Sequence, residues 1–299
     1  MPDRFRCSVA AAPEPLAGTA PTDLAYLLVE YPGPWGRKAL AESRLPEPVR
    51  TELADHAAKA GVRVQLIRRH RRPAPRTGFR IFAVYADPKA PWAETAVLDQ
   101  PERLLELDLA ALAAGRSPGL DPHLDPLLLV CTNGRRDACC AELGRPLVSA
   151  LDEAWPEETW ETTHLGGHRF AGALLALPYG LSYGRVTAEA GLEIAKRTHR
   201  GEVETAHLRG RTAYAGAVQA AEIALLEQLG ERRIEALVLV GVQREDGVTT
   251  VTFQHGVREH VLTVTEVPGQ SIQQSCADLK LKPTVSYVVA DGSEPSVLK

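Results

Sequence analysis

The chain has 299 residues, which is enough for about two domains of ordinary size. Apolar residues make up 44% of it and charged residues 24%, as is usual for a soluble globular protein. The net charge is −4 and neither end carries a basic tail. A nucleic-acid-binding protein usually shows a clustered basic patch, so the composition argues against a nucleic acid as partner.

The sequence has no apolar run of membrane-spanning length. The longest uninterrupted runs are 127–131 and 171–178, far short of the roughly 20 residues that cross a bilayer. The apolar stretch after Arg6 is interrupted by Pro13 and Glu14, which leaves it too short for the core of a signal peptide. We therefore expect a cytoplasmic protein without a membrane partner.

The first segment, residues 1–120, alternates between strand and helix patterns. Runs of β-branched and aromatic residues predict three strands, at 24–31, 62–67 and 79–85. A helix is predicted over 48–60, ended by Gly61. Residues 96–112 predict a short strand and then a Leu-rich stretch that fits either a strand or a helix. A Gly-, Pro- and Asp-rich linker follows over 115–126.

The second segment, residues 125–204, begins with a short buried-strand pattern at 127–131. A helix is predicted from about 137 to 155, with a possible kink at Pro146, and a short strand at 159–163. The two further runs form a predicted hairpin, at 172–177 and 181–186. A last helix is predicted over 187–199, with Thr187 as its N-cap.

The third segment, residues 205–299, opens with a long predicted helix over 212–229 that Gly230 ends. Strand patterns follow at 234–242, 257–264 and 285–289, with a hairpin across 245–247. No internal sequence repeat is evident. The strand–helix–strand order indicates an α/β fold for the first two segments and an α+β segment at the C-terminus.

The chain has five cysteines: Cys7, Cys131, Cys139, Cys140 and Cys276. Five are too few for a disulfide framework, and an odd number of cysteines cannot all pair with one another. In a reducing compartment, clustered cysteines are more often metal ligands or redox groups. Cys7 lies in a segment that we expect to be mobile, and Cys276 resembles an ordinary small buried residue. The informative cluster is the group of three within residues 131–140.

The stretch CTNGRRDACC places Cys131 at the end of a predicted strand and the other two cysteines in the first turn of a helix. Asp137 is a favourable N-cap for that helix. The helix dipole lowers the pKa of a thiol at a helix N-terminus, and the thiolate is the form that binds metal. The alternative is that the three cysteines are small apolar core residues.

Two histidines, His164 and His168, follow downstream in the stretch TTHLGGH. The two glycines between them allow a tight turn that directs both imidazoles at one point. Such a pair is weak evidence alone, but with two upstream cysteines it completes a Cys2His2 set. That donor set suits zinc or an iron–sulfur cluster.

Three stretches, CTNGRRDACC, TTHLGGHRFAG and LPYGLSYGRVTAEAG, resemble the sucrase/ferredoxin-like family of thioredoxin-like ferredoxins. The family signature is Cys-x8-Cys followed by His-x-Gly-Gly-His. It is matched here by Cys131, Cys140, His164 and His168. The resemblance is strong over about 125–200, looser over the first segment and not evident beyond about 205.

The resemblance implies a thioredoxin-like domain with a mixed sheet over residues 125–204, holding one 2Fe–2S cluster. Cys131 and Cys140 would bind one iron, and His164 and His168 the other, as in a Rieske centre on an unrelated fold. The family spacing matches Cys140, and the adjacent Cys139 remains the alternative ligand. The family name does not imply sucrose hydrolysis, because no motif indicates the carboxylate pair that glycoside hydrolysis needs.

The sequence thus predicts a one-electron carrier. No GxGxxG motif follows a predicted strand, so electrons would come from an unidentified redox partner protein. A basic run, Arg68-Arg69-His70-Arg71-Arg72 with Arg76, could dock an acidic partner or could be a solvated strand end. Two other functions stay open: a structural Cys2His2 zinc module, and a thiol redox sensor that uses Cys139 and Cys140.

Overall fold

Two β-sheets organise the fold in a computed structural model that describes residues 5–71 and 77–291. One is a ten-stranded mixed sheet, and the other is a separate four-stranded antiparallel sheet near the C-terminus. The predicted α/β class, with a mixed sheet and a C-terminal α+β segment, is confirmed. No helix within the described ranges is both long and apolar enough to span a bilayer.

The part of the chain up to residue 123, where the structure describes it, supplies five strands and three α-helices. Its strands are β1 (Ala25–Glu30), β2 (Val62–Arg68), β3 (Phe79–Tyr85), β4 (Trp92–Leu98) and β5 (Asp121–His123). Its helices are α1 (Cys7–Ala10), α2 (Glu47–Ala60) and α3 (Leu109–Ala113). The ambiguous Leu-rich stretch is helical, because Pro101 begins a 3-10 helix and the Asp108 side chain caps α3 through the Ala111 amide.

The middle segment adds four strands and two helices: β6 (Leu127–Cys131), α4 (Ala138–Ala154), β7 (Thr159–Thr162), β8 (Leu174–Leu177), β9 (Leu181–Tyr183) and α5 (Ala188–His199). Helix α4 runs without a break through Pro146. The predicted hairpin is present as the antiparallel pair β8–β9. The Thr187 side chain accepts a hydrogen bond from the Ala190 amide, which is the expected N-cap of α5.

The C-terminal segment contains β10 (Leu208–Arg211), α6 (Gly216–Leu229), β11 (Leu237–Glu245), β12 (Val248–His255), β13 (Arg258–Gln273) and β14 (Leu281–Asp291). Strand β10 joins the large sheet beside β9, while β11 to β14 form an antiparallel meander. Helix α6 packs its buried residues against that meander and is tied to β10 by the buried ion pair between Arg211 and Glu222, at 2.9 Å. It starts four residues later than the sequence predicts.

The large sheet contains the same topology twice. In one half β1 pairs in parallel with β2 and antiparallel with β3, which pairs with β4. In the other half β6 pairs in parallel with β7 and antiparallel with β8, which pairs with β9. Antiparallel pairing of β2 with β7 joins the halves edge to edge. The sequence shows no repeat because the two halves share strand order and not residues.

Candidate metal centre

Strand β6 and helix α4 bring two of the predicted ligands together. Cys131 ends β6, and Cys140 lies in the first turn of α4, where the Asp137 side chain accepts a hydrogen bond from the Cys139 amide at 3.1 Å. Gly144 lies one turn further along α4, and a Cβ at this position would overlap the Cys131 carbonyl oxygen. The helix can therefore approach the strand end closely only because residue 144 is glycine.

The two histidines lie on either side of a turn that needs both of its glycines. Gly166 has φ +93 and Gly167 has φ +70, a backbone conformation that favours glycine. A Cβ on Gly166 would run into Pro21, and a Cβ on Gly167 would run into the guanidinium of Arg209. The HLGGH pattern therefore encodes the turn as well as the candidate ligands.

Two arginines hold this turn through hydrogen bonds to its backbone carbonyl oxygens. Arg209 is only 2% exposed and donates to the carbonyl oxygens of Gly166, at 3.0 Å, and of Thr19. Arg63 donates to the His164 carbonyl oxygen at 3.0 Å. Burial lowers the pKa of Arg209 to about 9, with a further contribution from neighbouring arginines. The turn is thus held by buried hydrogen bonds that do not involve either imidazole.

Three of the four predicted ligands lie in one compact group. The ligand atoms of Cys131, Cys140 and His164 all lie within 4.8 Å of one another, and Cys140 Sγ is 3.8 Å from His164 Nδ1. His168 lies outside this group but next to it, with its Nδ1 3.3 Å from His164 Nε2. We call these four residues the candidate centre.

The cysteines and the histidines of the candidate centre lie at different depths. Cys131 and Cys140 are 1% and 2% exposed and pack among apolar side chains such as Leu165. His164 and His168 are only partly buried. The thiol side of the candidate centre therefore faces the core, and the imidazole side faces the surface.

Hydrogen bonds, burial and neighbouring charges shift the pKa values of both cysteines and of His168 in the candidate centre. A hydrogen bond with Cys140 lowers the pKa of Cys131, while the same contact and burial raise the pKa of Cys140. Burial, and then repulsion from His164, lowers the pKa of His168 to about 4. His168 is therefore neutral at physiological pH, as a ligating imidazole must be.

Cys139, the alternative ligand, points away from the candidate centre. Its sulfur lies 3.7 Å from that of Cys7 and 3.3 Å from that of Cys276, in a group that also includes Asp137. The expectation that Cys7 lies in a mobile segment is wrong: Cys7 is fully buried in α1. Cys276 is only partly buried and contacts the other two sulfurs.

Three residues of the basic run, Arg68, Arg69 and His70, make contacts within the chain. Arg68 pairs with Glu161 at 2.6 Å, and the Arg69 guanidinium stacks on the Trp160 ring at 3.7 Å. His70 Nδ1 lies 2.7 Å from the same Glu161. Arg72 and Arg76 lie outside the described residues. Sequence reasoning missed Glu161, because a glutamate in a short strand carries no local signal of its buried partners.

Comparisons with known proteins found one family model and one curated relative that match parts of the chain. A family model described as sucrase/ferredoxin-like matches residues 16–210, which includes the candidate centre and most of the N-terminal segment. A curated relative, altered inheritance of mitochondria protein 32 of Meyerozyma guilliermondii, is 35% identical over 75 residues. That similarity spans 22% of this chain and 27% of the relative, so the chain matches well under half of that protein. No solved structure matches the chain.

Proposed function

Because the chain belongs to the sucrase/ferredoxin-like family, we propose that it is an electron-transfer protein whose candidate centre holds a 2Fe–2S cluster. The observation that carries the proposal is the convergence of Cys131, Cys140 and His164 within 4.8 Å, with His168 against His164. These residues come from separate elements, and packing of the fold brings them together.

The donor set fits this cofactor. Two thiols and two imidazoles are the ligands of Rieske-type clusters, in which each iron takes one kind of donor. The thiols lie together on the core side and the imidazoles on the surface side, which suits a binuclear unit. When bound, the cluster supplies a one-electron redox couple.

The residues around the candidate centre have distinct tasks in this proposal. Cys131 and Cys140 sit on the end of a strand and the start of a helix, so their spacing is set by rigid elements. The apolar side chains around them exclude water from the thiolate side. His164 and His168 are the partly exposed members of the candidate centre, and we propose that a redox partner protein docks over them. A cytoplasmic location, where thiols stay reduced, completes the proposal.

The proposal is tested on freshly purified full-length protein. We expect a visible absorption spectrum, and iron and acid-labile sulfide in equal amounts. Cys131→Ser and Cys140→Ser should abolish both, whereas Cys139→Ser should retain them, since the Cys139 sulfur lies in a different group. A colourless wild-type protein, or a Cys139→Ser protein without iron, would contradict the proposed ligand set.

A mononuclear zinc site in the same residues is the second candidate. The close approach of three donors, within 4.8 Å, is also suitable for a single tetrahedral ion. Elemental analysis distinguishes the two, because this site would contain zinc, bind no sulfide and be colourless. A thiol sensor built on Cys139 and Cys140 gains no support, because their sulfurs face different groups.

A further inference from the structure

A second set of side chains that could bind a metal lies outside the candidate centre. It consists of three thiols and one carboxylate, which we call the three-cysteine group: Cys7, Cys139, Cys276 and Asp137. Cys7 comes from α1, Cys139 from the start of α4, and Cys276 from the loop between β13 and β14. Cys7 and Cys276 are 269 residues apart in sequence, and both lie outside the region that the family model matches.

Two of the three sulfur–sulfur distances within the three-cysteine group match those of a tetrahedral metal site, and the third, between Cys139 and Cys276, is shorter. The three sulfur–sulfur separations are 3.7, 3.7 and 3.3 Å. A tetrahedral ion with metal–sulfur bonds of about 2.3 Å sets its sulfur atoms about 3.8 Å apart. With a metal–oxygen bond of about 2.0 Å, the sulfur–oxygen separation is about 3.5 Å. The Cys7 Sγ to Asp137 Oδ1 distance is 3.5 Å.

Hydrogen bonds around the three-cysteine group suit thiolate and carboxylate ligands. The Ser8 hydroxyl donates to Cys139 Sγ at 3.3 Å, and the Cys7 amide donates to Cys276 Sγ at 3.5 Å. Asp137 Oδ2 accepts from the Ser275 hydroxyl at 3.0 Å and from the Cys276 amide at 2.8 Å. Such outer contacts orient ligands and raise the affinity of a metal site.

The charge of the group also favours a cation. A hydrogen bond from Cys7 lowers the pKa of Cys139 to about 5, and it raises the pKa of Cys7 itself. Burial of Asp137 opposes its ionisation, but hydrogen bonds from Cys276 and from the Cys139 amide outweigh this effect and lower its pKa to about 2. A divalent cation that binds here would displace the thiol protons of the group, as metal binding to cysteine does.

We propose that the three-cysteine group is a structural zinc site. Three thiolates and one carboxylate form a closed four-ligand set, and soft sulfur donors select zinc over magnesium or calcium. Because Cys276 is partly exposed, an ion can reach the site. A bound ion would connect the N-terminal segment and the C-terminal sheet to the start of α4. The site uses none of the four residues of the candidate centre, so it does not depend on the proposed electron transfer.

The test measures zinc and iron in the same full-length samples, expressed with added Zn²⁺ and passed through gel filtration. We expect wild type to retain equimolar zinc. Cys7→Ala and Cys276→Ser should lose zinc and keep iron, whereas Cys131→Ser should lose iron and keep zinc. This double dissociation separates the two proposals, since a failure of either leaves the other measurement unchanged.

X-ray absorption at the zinc edge provides the second measurement. We expect three sulfur neighbours at about 2.3 Å and one oxygen at about 2.0 Å. The proposal is overturned by zinc at background level, by a zinc content that neither the Cys7 nor the Cys276 substitution lowers, or by a shell with two sulfur and two nitrogen atoms. It is also overturned by a disulfide between Cys139 and Cys276 in protein alkylated at lysis and mapped by mass spectrometry.

Discussion

Gly144→Ala tests whether close packing of α4 on β6 sets the geometry of the candidate centre. Gly144 is buried in α4, one turn after Cys140, and its Cα faces the Cys131 carbonyl oxygen. A Cβ there would lie far inside the ordinary contact distance, which begins at about 3.4 Å. Helix α4 must therefore move away from the end of β6 by about 1 Å, because the opposing atom belongs to the backbone.

Two opposing terms set the expected change in the free energy of unfolding. Alanine is favoured over glycine inside a helix by about 1 kcal/mol. Overpacking against a backbone atom costs about 1–3 kcal/mol. The net effect is a destabilisation of up to about 2 kcal/mol, since the steric cost exceeds the gain in helix propensity. The same shift separates the sulfur atoms of Cys131 and Cys140, so we expect iron occupancy to fall.

The assay combines urea unfolding with iron content per chain after gel filtration. Gly191→Ala in α5 is the matched control, because the nearest atoms that a Cβ there would meet are side-chain atoms of Leu147 and Val186 and not backbone atoms. We expect the control to cost some stability and to keep its iron. If Gly144→Ala retains wild-type iron and wild-type stability, the close approach of α4 to Cys131 does not determine the site.

Three further predictions concern the imidazoles, the turn and the core. In a redox titration, the reduction potential should fall as pH rises from about 6 to 10, because the free N–H of a ligating imidazole is more acidic in the oxidised state. The His168→Cys variant should have a lower potential and a weaker dependence of the potential on pH. Arg209→Met should reduce iron retention and lower the free energy of unfolding in urea by about 2 kcal/mol, because the Gly166 carbonyl loses a charged donor. An unchanged iron content would show that Arg209 does not hold the turn in the conformation that the site needs. Glu222→Gln should lower the free energy of unfolding by about 3–5 kcal/mol, since it leaves the buried Arg211 without its carboxylate partner. The iron occupancy of this variant should stay at the wild-type level.

Local sequence signals were sufficient to predict the strand, the helix and the turn that carry the residues of the candidate centre. The apolar run 127–131 fills a strand with both faces buried, and Asp137 caps α4 through the Cys139 amide as its side chain allows. The two glycines of the HLGGH turn occupy the left-handed conformation that their spacing suggested. These features were predictable because each depends on residues within one turn or one strand.

Contacts between distant segments were not predictable. Cys7 meets Cys139 across 132 residues, and nothing in the local sequence of either cysteine indicates the other. Glu161 is buried beside Arg68 because β2 pairs antiparallel with β7, which places these two residues opposite each other. That strand pairing also joins the two halves of the large sheet, and it depends on the tertiary fold.

The adjacent cysteines at the start of α4 illustrate what the sequence left open. Consecutive residues on a helix point about 100° apart, so Cys139 and Cys140 cannot both face one small site from the same turn. Cys140 faces His164, while Cys139 faces Cys7 and Cys276. The two cysteines are therefore not alternative ligands for one site. Cys140 belongs to the candidate centre, and Cys139 belongs to the three-cysteine group. Asp137 lies between them, with one oxygen 3.5 Å from Cys7 Sγ and the other 3.9 Å from His168 Nε2, and it caps the helix that carries both cysteines.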